Sequence, residues 1–132
     1  MIQVGINISK QNEARKKLVD AERNRRIINS FTFAGKLFDC DPDSRSNING
    51  AVTLASLALG AGSSSKNKRW NGQDVDFTWL AQDNTEMVMD PETVVAFGSA
   101  AAEHVRAHIF AARTLKDMST IPSDLTDDAY WA

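Results

Sequence analysis

The first residues of the chain alternate between apolar positions and polar or glycine positions, and the apolar ones are Ile2, Val4, Ile6 and Ile8. Strict alternation of this kind predicts a β-strand with one apolar face. No tight turn connects it to a partner strand, yet its backbone N–H and C=O groups need partners. We therefore expect the strand either to complete the protein's own sheet or to add to the sheet of another protein.

A helix is predicted next, over residues 10–28, with Ser9 as its N-cap. Its apolar stripe is formed by Ala14, Leu18, Ala21 and Ile28. Arg25 interrupts this stripe, and the rest of the helix surface is polar. Because so thin a stripe gives a helix little stability on its own, we expect this helix to project from the body of the protein or to pack against other copies.

Two β-hairpins are predicted in the middle of the chain. The first joins residues 31–33 to residues 37–38 through a turn at Gly35, and the second joins residues 77–82 to residues 86–89. Aromatic and β-branched residues in these segments favour strands, and the glycine or Asp-Asn pair between them favours a tight turn.

Asp41 and Asp90 each precede a proline, and this pair of residue types predicts the start of a helix. Aspartate caps free N–H groups at a helix N-terminus, and proline is favoured at the first helical position. These helices are predicted over residues 42–59 and 91–118. Together the elements predict an α+β fold of two short β-hairpins packed with two or three α-helices, preceded by the N-terminal strand and the projecting helix.

The charges are distributed unevenly along the chain. Residues 1–30 hold seven basic and three acidic side chains, whereas residues 117–132 hold four acidic side chains and no basic one. This asymmetry favours specific contacts of both ends with another protein or a second copy; two solvated ends that only aid solubility are the alternative. We divide the chain into a partner-binding strand and basic helix (1–29), a compact α+β domain (30–120) and an acidic tail (121–132).

The composition argues against several functional classes. The formal net charge of −2 disfavours a general nucleic-acid binder, whose domain is expected to be basic. The single cysteine, Cys40, allows no internal disulfide. No apolar run approaches the length of a membrane span, so we expect neither nucleic acid nor membrane as a partner.

Candidate sites for catalysis or metal binding are weak. His104 and His108 lie four residues apart on one predicted helix face, but a metal site needs a third ligand. Asp39, Asp41 and Asp43 alternate as at the start of a calcium loop, but the glycine and the final glutamate of such a loop are missing. Helix capping explains these aspartates better. We therefore expect a non-enzymatic protein with no cofactor and no metal.

Two aromatic residues, Tyr130 and Trp131, stand near the end of the acidic tail. Aromatic side chains are frequent anchors of protein interfaces, so these two dock either onto another chain or back onto the protein's own surface. The sequence leaves both alternatives open. The predicted partner-binding residues are Ile2, Val4, Ile6, Ile8, Leu18, Arg25, Tyr130 and Trp131.

A series of short motifs runs along residues 24–120. They are RII at 26–28, FTFAG at 31–35, FD at 38–39, SRSNINGA at 44–51, Trp79 with DN at 83–84, VMD at 88–90 and LKD at 115–117. In this order the motifs resemble a phage-encoded domain of unknown function found in tail-fibre, baseplate and fibre-assembly proteins. The resemblance carries over no catalytic residue.

The resemblance implies a non-enzymatic structural component of a phage tail, baseplate or tail-fibre attachment. Such a protein is assembled in the host cytoplasm and resides in the virion tail, and its partners are other tail or fibre proteins or further copies of itself. An alternative is a tail-fibre assembly chaperone that is absent from the mature particle. A third possibility, a nucleic-acid-binding or host-directed regulator that uses the basic residues of 15–26 and 66–69, requires strongly salt-dependent binding.

Overall fold

A computed structural model describes residues 2–132 and, from residue 7 onward, their side chains. The elements in chain order are α1 (Ile2–Asn29), β1 (Phe31–Phe33), β2 (Lys36–Phe38), α2 (Pro42–Gly60), β3 (Thr78–Leu80), β4 (Glu86–Val88), α3 (Pro91–Lys116) and a 3-10 helix (Asp128–Tyr130). β1 pairs antiparallel with β2, and β3 pairs antiparallel with β4. These helices and hairpins confirm the predicted α+β class.

The chain forms two compact units. The terminal unit consists of α1 up to Ile27 together with residues 104–132, and the central unit consists of residues 28–103. The predicted division placed residues 104–120 in the compact domain and left residues 121–132 as a separate tail. The structure instead groups both segments with α1, because apolar side chains of the last residues pack into the core of the terminal unit.

The predicted N-terminal strand over residues 2–8 is wrong, since this segment forms the first turns of α1. An isolated strand would leave its backbone N–H and C=O groups unpaired, whereas a helix satisfies them within the segment itself. Extending a helix that already exists also avoids the unfavourable nucleation step. Ser9 therefore lies inside α1 rather than at its N-cap.

An aromatic cluster forms the core of the central unit. The Phe97 residue of α3 is 1% exposed, and its ring centroid lies 4.8 Å from that of Phe38 and 5.2 Å from that of Phe31. The ring of Trp79, on β3, lies 5.7 Å from the same phenylalanine. Aromatic pairs at such separations contribute about 0.5–1.5 kcal/mol each beyond the burial of their surface. One phenylalanine thereby anchors both hairpins to α3.

Within the central unit, α3 contacts α2 at Gly98. A Cβ atom added to Gly98 would lie 2.3 Å from the Cγ2 atom of Val52, far inside the distance at which two carbon atoms attract. The β-branched side chain of Val52 has one strongly preferred rotamer in a helix, so it cannot turn away without strain. The absence of a side chain at Gly98 therefore permits the close approach of these two helices.

We expect Gly98→Ala to lower the free energy of unfolding of the central unit by about 1–3 kcal/mol, because overpacking outweighs the gain in helix propensity. Gly50 of α2 is the matched control, since a Cβ atom added there meets nothing within 4 Å. Gly50→Ala is expected to stabilise the unit by about 0.5–1 kcal/mol. Thermal unfolding followed by circular dichroism measures both variants, and an equal gain for the two would contradict the proposed clash.

Candidate protein-docking surface of the terminal unit

The C-terminal segment, residues 117–132, is held to α1 by side chains that bind its backbone. The side-chain amide of Asn12 donates to the carbonyl of Ser119 (2.9 Å) and accepts from the N–H of Ile121 (3.0 Å). Arg15 donates to the carbonyl of Ile121 (2.6 Å). One turn of α1 thus satisfies both backbone groups of Ile121.

Apolar side chains that are buried together form the core of the terminal unit, and among the described residues they are Val19, Ala112, Leu115, Ile121, Leu125 and Trp131. Trp131 is 5% exposed, and its indole N–H donates to the carbonyl of Leu125 (2.9 Å). Half of this core comes from the C-terminal segment. Of the two alternatives for Trp131, docking back onto the protein's own surface is the one observed.

A charged network connects α1 to the same segment. The Glu22 carboxylate accepts hydrogen bonds from Arg25 (2.6 and 2.9 Å) and from Arg26 (2.7 Å), although Glu22 is only 9% exposed. Arg26 also donates to the carbonyl of Thr126 (2.8 Å) and forms an ion pair with Asp128 (3.0 Å). Arg26 therefore links the buried carboxylate of α1 to the C-terminal segment.

These arginines keep Glu22 charged. The hydrogen bonds from Arg25 are the largest influence on its pKa, burial opposes them, and Arg26 adds to them, so that the pKa falls from its usual 4.5 to about 2. Because the pKa is lower in the folded state than in the unfolded state, the resulting stability is fully present above pH 4.5 and is lost as the pH falls through 2.

We expect the wild type to have a higher free energy of unfolding than Glu22→Gln. This difference should fall by about 1–2 kcal/mol as the pH is lowered from about 5 to about 2, a value that allows for solvent screening of the exposed arginine. Glu13→Gln is the control, because the Glu13 side chain is mostly exposed and lies 3.6 Å from Lys16. Thermal unfolding at several pH values in this range measures the difference. A Glu22→Gln effect that is the same at every pH would contradict the pKa assignment.

Two histidines of α3 also belong to the terminal unit. His104 donates through Nε2 to the carbonyl of Ile27 (3.1 Å), and His108 donates through Nδ1 to the carbonyl of His104 (2.7 Å). The ring of His108 stacks on Trp131 with 6.2 Å between centroids, and the Arg26 guanidinium lies 5.4 Å from the same indole. Within the described part of the chain, no three His, Cys, Asp or Glu side chains lie close enough together to hold a metal ion.

A second face of α1 carries the candidate docking surface. This face, which we name the α1 stripe, consists of Ala14, Leu18, Ala21 and Arg25. All four residues are exposed, and Leu18 is 55% exposed. Their spacings of 4, 3 and 4 residues place them in one row along the helix, which is the arrangement by which a helix packs against another helix. Lys10 and Lys17 are exposed beside the row.

Residues 10–130 match the model of a family described as a domain of unknown function, DUF4376. The chain is a member of DUF4376. The match includes the α1 stripe and nearly all of the C-terminal segment, so the contact between α1 and that segment lies within the DUF4376 region. No curated protein and no solved structure matches the chain. In the part of the chain that the structure describes, no helix is both long enough and apolar enough to cross a membrane.

The N-terminal residues predicted to bind a partner, Ile2, Val4, Ile6 and Ile8, lie on α1 rather than on a strand, and they precede the residues matched to DUF4376. The side chains of the first three lie outside the described residues, and Ile8 is half-buried. Strand addition to another protein's sheet is therefore ruled out for this segment as it is folded here, because a helix uses its backbone N–H and C=O groups internally.

The other predicted partner-binding residues are divided between the surface and the core of the DUF4376 domain. Leu18 and Arg25 lie together on the exposed α1 stripe. Tyr130 is also exposed, at the end of the 3-10 helix, whereas Trp131 beside it is buried. The structure brings Trp131 together with Arg26 and Glu22 instead of leaving it free for another protein.

Sequence reasoning missed the face through which α1 of this DUF4376 domain binds the C-terminal segment. The residues of that face are Asn12, Arg15, Val19, Glu22 and Arg26. Only one of the five is apolar, so a search for apolar stripes does not find the face, although its spacings of 3, 4, 3 and 4 residues are helical. The apolar stripe that the sequence does reveal is the exposed one.

Proposed function

We propose that this protein is a non-enzymatic structural component of a phage tail, baseplate or tail-fibre attachment, which acts through protein–protein contacts of its terminal unit. The phage assignment is supported by the resemblance of residues 24–120 to a phage-encoded domain of unknown function that is found in tail-fibre, baseplate and fibre-assembly proteins. The mode of action is supported by one observation: α1 is held to the protein along a mostly polar face, while its apolar stripe stays exposed.

The α1 stripe favours a helix as the partner. Leu18 lies between Ala14 and Ala21, and such small neighbours allow a second helix to approach to about 8–10 Å between axes. Complete burial of a leucine in a contact of this kind contributes about 1.5–3 kcal/mol. Because the C-terminal segment already orders α1, little conformational entropy is lost when the partner binds.

The charges around the α1 stripe favour an acidic partner. Arg25 within the stripe is already paired with Glu22, but Lys10 and Lys17 beside the stripe are exposed and positively charged. A second copy of α1 would bring these like charges together, so the partner we propose is an acidic amphipathic helix of another tail or fibre protein. Complementary charge of this kind speeds association and discriminates between partners.

We expect Leu18→Asp and Lys17→Glu each to reduce incorporation into phage particles at least about tenfold, since each places a negative charge opposite an acidic helix. Both residues are exposed, so the variants should remain folded by circular dichroism. Ile109→Asp on α3 is the control, because it changes an exposed apolar residue outside the α1 stripe. Mass spectrometry of particles purified from cells that supply each variant in place of the wild type measures incorporation.

The outcomes separate the rival functions. Incorporation of Leu18→Asp at the wild-type level would refute the docking surface. A wild-type chain that binds a fibre protein but is absent from purified particles would identify an assembly chaperone instead. Binding to nucleic acid that weakens steeply with salt and does not depend on Leu18 would favour the regulator.

A further inference from the structure

The central unit has an exposed apolar face of its own on α2. This face, the α2 stripe, consists of Gly50, Leu54 and Leu57 on α2 and of Ala61, the C-cap residue that directly follows it, at spacings of 4, 3 and 4 residues. Leu54 is 59% exposed and Leu57 is 65% exposed. The stripe is distinct from the face that α2 buries, which is formed by Ile48, Ala51 and Ala55.

The α2 stripe lies in an uncharged stretch of the chain. Residues 46–65 contain no acidic, basic or histidine residue, and the charged residues that bound this stretch are Arg45 and Lys66. The exposed polar residues of α2 in this range are Ser46, Asn47, Asn49, Thr53 and Ser56. Exposed surfaces normally mix charges of both signs, whereas the core of a protein interface is depleted in charge and keeps its apolar residues. The α2 stripe therefore has the composition of an interface.

We infer that the α2 stripe is a self-association surface, covered by the α2 stripe of a second copy of this chain. A charged partner surface would lose its hydration on binding the α2 stripe without gaining an ion pair. An uncharged partner surface therefore binds this stripe more favourably. A second copy supplies an uncharged face of identical composition. A contact between two copies across a twofold axis pairs the same patch on both.

The order of residues in the α2 stripe suits an antiparallel contact of this kind. The sequence of small, large, large and small residues reads the same in both directions, with equal spacings. In an antiparallel pair, Leu54 of each copy faces Leu57 of the other, and Gly50 faces Ala61. The small residues at the ends allow the two helices to approach closely while the leucines fill the middle.

The area of this contact makes it weak in isolation. The α2 stripe spans about 17 Å of helix, which corresponds to roughly 300–400 Å² on each copy. A stable complex usually buries about 800 Å² on each partner. We therefore expect association only at high concentration or where copies are already held close together. The second situation rests on the proposed function, whereas the contact itself does not.

Sedimentation velocity over concentrations from about 20 μM to 1 mM tests the contact in solution. The wild type is expected to move from a 14.5 kDa monomer toward twice that mass as its concentration rises. Leu57→Asp should weaken this association at least about tenfold, because the contact would bury two carboxylates against leucines. Leu80→Asp is the matched control, since Leu80 is 57% exposed on β3 of the same unit, and it should associate like the wild type.

Cysteine cross-linking tests the antiparallel arrangement. A mixture of Leu54→Cys and Leu57→Cys chains should form the mixed disulfide faster than either variant alone forms its own dimer. Cys40 is buried, so the wild type serves as the uncross-linked reference. Faster cross-linking of like with like would overturn the arrangement.

Two results would overturn the self-association surface itself. One is a wild type that remains monomeric at about 1 mM, and the other is an equal loss of association in Leu57→Asp and Leu80→Asp. Leu18→Asp separates this inference from the proposed function, since it should lose incorporation into particles and keep self-association.

Discussion

Trp131→Ala is expected to release the C-terminal segment from α1 and to lower the stability of the terminal unit by about 3–5 kcal/mol. The wild-type indole is buried in the core, donates to the carbonyl of Leu125, and lies near the His108 ring and the Arg26 guanidinium. The truncation removes all of these contacts and leaves a cavity among the remaining apolar side chains. The core of the terminal unit then loses its largest member.

Hydrogen exchange of the backbone amides measures this effect locally, which suits a chain with two compact units. We expect the amides of residues 117–132 to lose protection in Trp131→Ala, starting with the N–H of Ile121 that Asn12 binds. Tyr130→Ala is the matched control, because Tyr130 is the neighbouring aromatic residue and is exposed; its effect should stay below about 1 kcal/mol. Unchanged protection in Trp131→Ala would contradict the packing described above.

Phe97→Ala is expected to destabilise the central unit by about 3–5 kcal/mol. Its ring contacts those of Phe31 and Phe38 from the first hairpin and that of Trp79 from the second. Both hairpins have strands of three residues, and two-stranded hairpins of this size are marginal without packing against a helix. Loss of this one side chain should therefore affect both hairpins together.

Phe110→Ala provides the comparison on the same helix, since Phe110 is 58% exposed and packs under the Arg106 guanidinium. We expect it to change stability by less than about 1 kcal/mol. Hydrogen exchange of the strand amides of both hairpins reports their loss in Phe97→Ala. Equal effects of the two substitutions would show that the aromatic cluster is not the core of the central unit.

The two exposed stripes differ in chemistry and therefore in the partners that we propose for them. The α1 stripe is bordered by the exposed Lys10 and Lys17, which favours an acidic helix of another protein. The α2 stripe lies within the uncharged residues 46–65, which favours a copy of itself. Variants in one stripe should leave the contact of the other intact, because the two sets of residues do not overlap.

Much of the fold could be predicted from local patterns. The Asp-Pro pairs place the starts of α2 and α3 correctly, because capping and proline geometry depend on adjacent residues only. Both hairpins form at the predicted turns, since the turn residues and the flanking strand residues are also neighbours in sequence. Leu18 and Arg25, the predicted partner-binding residues of the first helix, are exposed on one face of α1.

The two ends of the chain could not be predicted in this way. Alternation over residues 2–8 favours a strand. A strand, however, needs a neighbouring strand for its backbone hydrogen bonds, and only the tertiary structure determines whether one is present. The burial of Trp131 depends on Val19, Ala112 and Leu115, which precede it in the sequence and pack with it only in the folded terminal unit. By itself, then, the sequence determined the α+β class, the hairpin turns and the helix starts, which follow from short-range capping and propensity. Only the tertiary structure decided which face of α1 is covered and that the acidic tail completes a core, because burial depends on contacts between residues far apart in the chain.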